Sequence, residues 1–122
     1  MVAAVGRRDV YSLVPKTDPQ PTALCSTVER AFEMLTRKWA GLIIRELSGG
    51  QRHFCEVERG IPSVSARMLT ERMKELEAAG IVKRTVDTGT PVRTLYDLTA
   101  KGRALIPVMK GIEDWAHAWS GT

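Results

Sequence analysis

A mainly helical α+β fold is what this chain predicts, and three observations carry the prediction. Residues Ile61–Ala79 read as a turn feeding an amphipathic helix, and a brief helical run lies only a few residues before it. Two β-branched segments joined by a polar turn follow directly, and a long apolar run closes the chain. With 122 residues, there is length for one cored domain. It is placed over residues 22–122, behind a flexible arm over residues 1–21 that carries Pro15, Pro19 and Pro21 among polar residues and lacks periodicity.

Ser26-Thr27-Val28-Glu29 matches a capping box, which places Ser26 at the N-cap of a first helix with Val28, Ala31, Phe32 and Leu35 as its apolar stripe. A second helix is expected over residues 38–47, with Trp39, Leu42, Ile43 and Leu47 turned inward and Gly49-Gly50 ending it. Arg52-His53-Phe54 reads as a very short extended segment, and residues 55–59 as a brief helix closed by Gly60. Pro62 and Ser63 are turn formers, and Ser65 caps a run rich in good helix formers that Gly80 stops. Leu69, Met73 and Leu76 recur at i, i+4 and i+7 as one apolar seam, leaving Arg67, Thr70, Glu71, Lys74 and Glu75 on the other surface. Helix, short turn, amphipathic helix is the helix-turn-helix arrangement.

Residues 81–86 and 92–98 read as two strands joined by Asp87-Thr88-Gly89-Thr90-Pro91, a hairpin with Arg84 and Arg93 at its shoulders: a wing. Thr99 caps a last helix over residues 100–119, which Pro107 kinks or divides. Leu105, Val108, Ile112, Trp115 and Trp119 lie at three- and four-residue spacings and form one apolar seam. The predicted architecture is therefore a winged helix-turn-helix with an added C-terminal helix.

A family resemblance rests on Cys25, Val28-Glu29, Lys38-Trp39, Ile44-Arg45-Glu46-Leu47, Phe54-Cys55-Glu56-Val57, Ser65 through Arg72, Glu75-Leu76, Gly80-Ile81-Val82, Tyr96-Asp97-Leu98-Thr99, Lys101-Gly102 and Trp115. Over about residues 25–119 the chain resembles the HxlR-type branch of the MarR-like winged-helix transcription regulators, and Met68-Leu69-Thr70-Glu71-Arg72 is its most characteristic segment. The resemblance implies a homodimer that binds a pseudo-palindromic operator as a repressor or activator. The arm lies outside it.

The residues support that reading separately. Eighteen basic against fourteen acidic residues give a net charge of +4, which permits a nucleic-acid partner without demanding one. A helix in the major groove reads base edges with its first turns, so Ser63, Ser65, Ala66, Arg67 and Thr70 are the candidate readers, with Lys74 nearer the backbone. Arg67 is the leading reader; a phosphate contact or a solvated charge is the alternative for it. Arg84, Thr88, Thr90 and Arg93 would set the wing on the minor groove or phosphates, and Arg52 would add a contact from the start of the helix-turn-helix. Phe32, Ile112, Trp115 and Trp119 exceed what a small core can cover, which suggests a symmetric dimer interface, the alternative being tryptophans folded back on their own domain.

Cys25, just before the expected N-cap, is either a thiol activated by the helix amides or an ordinary thiol near an interface. In several members of the resembled family a cysteine at this position is linked to redox or electrophile sensing, and the match of Cys25 implies the same role here. Cys55 reads as a small core residue. Two cysteines are too few for a disulfide framework and suggest a reducing compartment. No export signal is visible, and the apolar stretch Leu42–Ile44 is too short to span a bilayer, so a cytoplasmic location is expected. Cys25, His53, Cys55 and His117 have no metal-ligand spacing, no nucleotide loop surrounds Gly49-Gly50, and no catalytic motif is present; no metal, cofactor or enzymatic activity is expected. A winged-helix module docking on protein instead of DNA is the alternative from another class.

Overall fold

The computed structural model describes residues 23–121, with side chains from residue 26 onward. The arm expected over residues 1–21 and the thiol of Cys25 lie outside the described residues. Helix α1 spans Ala23–Leu35. It starts three residues ahead of Ser26, so the capping-box reading is corrected: Ala and Leu at 23 and 24 are strong helix formers and carry the helix upstream of the serine. Cys25 accordingly lies within the first turn and not before it. The chain divides into two compact units between Ala31 and Phe32, inside α1, and the second unit holds all that follows.

Helix α2 spans Ala40–Leu47 and starts two residues later than expected, because Trp39 adopts a left-handed backbone with φ 80°. That conformation is strained for a bulky residue and needs outside support. The guanidinium of Arg72 provides it, donating from Nε to the carbonyl oxygen of Lys38 at 2.8 Å. Ala40, Ile43, Ile44 and Leu47 are fully buried. Their spacing turns Leu42 to the outer face, where it is exposed, correcting its expected inward position.

Strand β1 (Arg52–His53) leads into α3 (Phe54–Gly60), then α4 (Ala66–Ala78). Strands β2 (Val82–Asp87) and β3 (Arg93–Leu98) form the hairpin, followed by α5 (Ala100–Arg103) and α6 (Ile106–Trp119). All pairing is antiparallel and the sheet order is β1-β3-β2, so the expected two-stranded hairpin gains a third strand through Arg52↔Tyr96 and His53↔Leu95. The hairpin register runs from Val82↔Leu98 to Asp87↔Arg93.

The ends of α4 explain its bounds. Ser65 Oγ accepts from the Met68 amide at 3.0 Å. At the other end Gly80, with φ 77°, lets the Ile81 amide reach the Leu76 carbonyl at 2.9 Å and its own amide reach Glu77 at 3.0 Å, a Schellman ending. Thr99 caps α5 by accepting from the Gly102 amide at 3.1 Å. Gly102 lies so close to the Ile81 carbonyl that a Cβ would collide with it. Pro107 divides the last helix: it takes the second position of α6, where no backbone donor is required of it.

One core fills the second unit, built from Ile43, Ile44 and Leu47 of α2, Val57 of α3, Leu69, Met73 and Leu76 of α4, and Ile81, Val82 and Leu98 at the base of the hairpin. Each such side chain contributes roughly 1.5–3 kcal/mol by leaving water. Among the described residues, no helix is long and apolar enough to cross a membrane.

Candidate nucleic-acid interface

Helix α4 has two chemically opposed faces. Leu69, Met73 and Leu76 fix one face in the core, which turns Ala66, Arg67, Thr70, Glu71 and Lys74 to the other, where all are exposed. Ser63 and Ser65 are exposed just before it. No acidic residue occupies the first turn, so the partial positive charge of its amides is not cancelled locally. The Arg67 side chain is 89% exposed and pairs with Glu71, one helical turn on, at 3.6 Å. A pair so exposed holds it weakly, leaving the guanidinium free to reach outward. Thr70 Oγ1 donates to the Ala66 carbonyl at 2.8 Å, which leaves its lone pairs and methyl group to meet a base edge.

Arg72 belongs to neither face in the way its charge suggests. It is buried, and besides Lys38 it donates to Glu75 at 2.7 Å and to the Met68 sulfur at 3.1 Å. Glu75 in turn accepts from Arg37 at 2.9 Å. The acidic end of α4, which opposes the helix dipole when seen alone, is thus held by two arginines and ties the helix to the turn before α2. A buried arginine inside a charged run gives no sequence signal of its own.

On the wing, Thr88, Thr90 and Arg93 are exposed, as is Arg84. Register places Arg84 on the sheet face of Tyr96 and Arg93 on the opposite face with Asp87, so the two arginines leave the wing on different sides. Burial holds the Tyr96 phenol above its ordinary value, with Arg84 pulling against it. Arg52 is half-buried, unlike the other candidate contacts, and borders a shallow depression with Arg45, Glu46, Ser48, Gly49 and Glu113. His53 Nε2 lies 2.9 Å from Asp87 Oδ2, a contact the sequence did not suggest. Asp87 sits below its ordinary value, first because His53 bonds it and then because the Gly89 amide does.

Helix α6 carries two stripes. Ile106 and Met109 pack on the core, and Glu113 pairs with Arg45 of α2 at 2.9 Å. The seam expected from the sequence is divided: Leu105 packs on the core, whereas Ile112, Trp115 and Trp119 are 57%, 66% and 69% exposed, as is Phe32 on α1 at 63%. Both tryptophans thus present most of their surface outward on α6. Cys55 is a half-buried free thiol and not one of the core residues, correcting its expected place, because α3 turns Val57 into the core instead. Among the described residues no group of three or more His, Cys, Asp or Glu is placed to hold a metal ion.

The family model described as HxlR-like helix-turn-helix matches residues 34–122. YvaP of Bacillus subtilis (strain 168), an uncharacterised HTH-type transcriptional regulator, is 45% identical over 96 residues, covering 79% of this chain and 89% of YvaP. The HTH-type transcriptional regulator YodB of the same organism is 45% identical over 93 residues, covering 76% of this chain and 83% of YodB. The structure of reduced YodB superposes with a TM-score of 0.70 at 43% identity, over 80% of this chain and 95% of that one. The redox regulator HypR in its oxidised form superposes with a TM-score of 0.73 at 34% identity, over 79% of this chain and 99% of that one.

Proposed function

Because the chain belongs to the HxlR-like helix-turn-helix family, whose members are DNA-binding transcriptional regulators and not enzymes, we propose that it acts as a homodimer on a pseudo-palindromic operator. The observation that carries this reading is α4: its apolar face is fully committed to the core while Arg67, Thr70 and Lys74 stand exposed behind an unneutralised N-terminus. In the major groove, Arg67 would pair with a guanine, and Ser63, Ser65, Ala66 and Thr70 would approach neighbouring bases. Lys74, Arg84, Thr88, Thr90 and Arg93 would contact backbone or minor groove, with Arg52 contributing from the side of the depression it borders. One helix reads only a few base pairs, so a second copy about 34 Å away completes the site. The exposed Phe32, Ile112, Trp115 and Trp119 supply the apolar surface for that pairing.

The same proposal includes a thiol switch at Cys25. Its support is the likeness to YodB, solved in a reduced form, and to HypR, named as a redox regulator, together with the place of residue 25 in the first turn of α1. Free amides there favour the thiolate. A DNA partner agrees with a cytoplasmic location.

Selection of bound sequences from a random duplex pool, followed by titration at several salt concentrations, tests the central reading. A steep fall of affinity with salt and an enriched palindrome are expected. Affinity insensitive to salt, or no enrichment, would instead favour a module that docks on protein. For Cys25, operator binding that is indifferent to oxidation of the thiol removes the switch.

A further inference from the structure

We propose that His53 and Asp87 are a positioning pair that sets the wing against the helix-turn-helix. The inference rests on the DNA-binding reading above. The third strand supports only the inner part of the hairpin, since β1 ends at His53, opposite Leu95. Beyond that point Val86↔Thr94 and Asp87↔Arg93 continue as a two-stranded ribbon, which has little stability of its own. His53 is the last residue of β1 and the N-cap of α3, so it stands at the junction of the sheet and the helix-turn-helix, and its ring meets Asp87 at the end of the free ribbon.

The pairing is specific. His53 Nε2 and Asp87 Oδ2 are 2.9 Å apart, and an ionised carboxylate only accepts, so Nε2 carries the proton. Asp87 Oδ1 accepts from the Gly89 amide at 3.1 Å, so one carboxylate ties the histidine to the start of the wing loop. The histidine is itself anchored: its backbone amide donates to Glu56 Oε1 at 2.7 Å, and the same oxygen lies 3.3 Å from its Nδ1. Its side chain is 20% exposed and that of Asp87 36%, which shields the contact from full screening. Register places Arg93 directly across from Asp87 on the same face. Holding Asp87 therefore holds the ground on which Arg93 stands.

Electrostatics and positioning make opposite forecasts here. Deleting an acidic residue beside a DNA-facing arginine should strengthen binding if charge alone matters; it should weaken binding if Asp87 places the wing. Duplex affinity at fixed salt and backbone relaxation of residues 88–92 are measured for wild type, His53→Ala, Asp87→Ala, the double variant and His53→Gln. Each alanine variant is expected to weaken binding about fivefold to tenfold, the double variant no further than the worse single, and His53→Gln, which keeps a donor, within about twofold of wild type. Order in residues 88–92 should fall in both alanine variants. Tighter binding by Asp87→Ala, losses that multiply in the double variant, or unchanged order in the wing overturns the proposal. Relaxation needs no DNA, so absence of duplex binding by wild type would sink the DNA reading while the order measurement still decides the pair.

Discussion

Arg67 and Arg93 carry similar charge but are set in different surroundings, and their variants should separate. Arg67 emerges from the first turn of α4 with almost nothing holding it. Replacing it with alanine should cost on the order of 1–3 kcal/mol on the preferred duplex and much less on a scrambled one. Arg93 projects from the two-stranded end of the hairpin, across from Asp87, and Arg93→Ala should weaken both duplexes alike and lower the salt slope by about one. Equal losses for Arg67→Ala on both duplexes would remove it as a reader. Asp87 adds a dependence on pH. Its carboxyl lies below the ordinary value of 3.8 in the folded chain, so its contribution to stability is complete above that value and disappears as pH falls through the depressed one. Thermal melting of wild type and Asp87→Asn should therefore differ near about pH 6 and converge in strong acid; a gap that widens on acidification would contradict the bonding described.

At the scale of elements, α4 is fixed at three places: a serine cap, a glycine ending and a buried arginine. The first two were legible in Ser65 and Gly80, since capping depends on groups within four residues of each other. The third was not. Arg72 sits in a run of charges and its partners at Lys38 and Glu75 are visible only once α2 is packed. Arg72→Met fills similar volume but leaves the Lys38 carbonyl and Glu75 without their donor, and the Trp39 backbone without its support. Unfolding in urea should show a loss of about 2–3 kcal/mol, with Arg72→Lys recovering little because an ammonium lacks the planar fork. Stability unchanged in Arg72→Met would show that the turn holds Trp39 unaided. Helix α6 is the complementary case: the spacing from Leu105 to Trp119 shows an apolar seam, but packing divides it, with Leu105 and Met109 on the core, Glu113 paired to Arg45 of α2, and Ile112, Trp115 and Trp119 exposed.

For the whole molecule, the exposed tryptophans matter most. Trp115→Glu should give a monomer by sedimentation at micromolar concentration and lose nearly all affinity for a two-half-site operator, while melting cooperatively, because Trp115 is not part of the core. An unchanged dimer mass would move the interface elsewhere. The order of elements, the amphipathic face of α4 and the hairpin could all be read from the chain, because helix periodicity, strand alternation and caps are written within a few consecutive residues. Packing alone determined the pairing of Arg52-His53 with β3 as a third strand, the outward turn of Leu42, the burial of Arg72 and the meeting of His53 with Asp87. The last two join residues 34 positions apart, and no local pattern specifies which polar groups will be brought face to face when distant segments share one core.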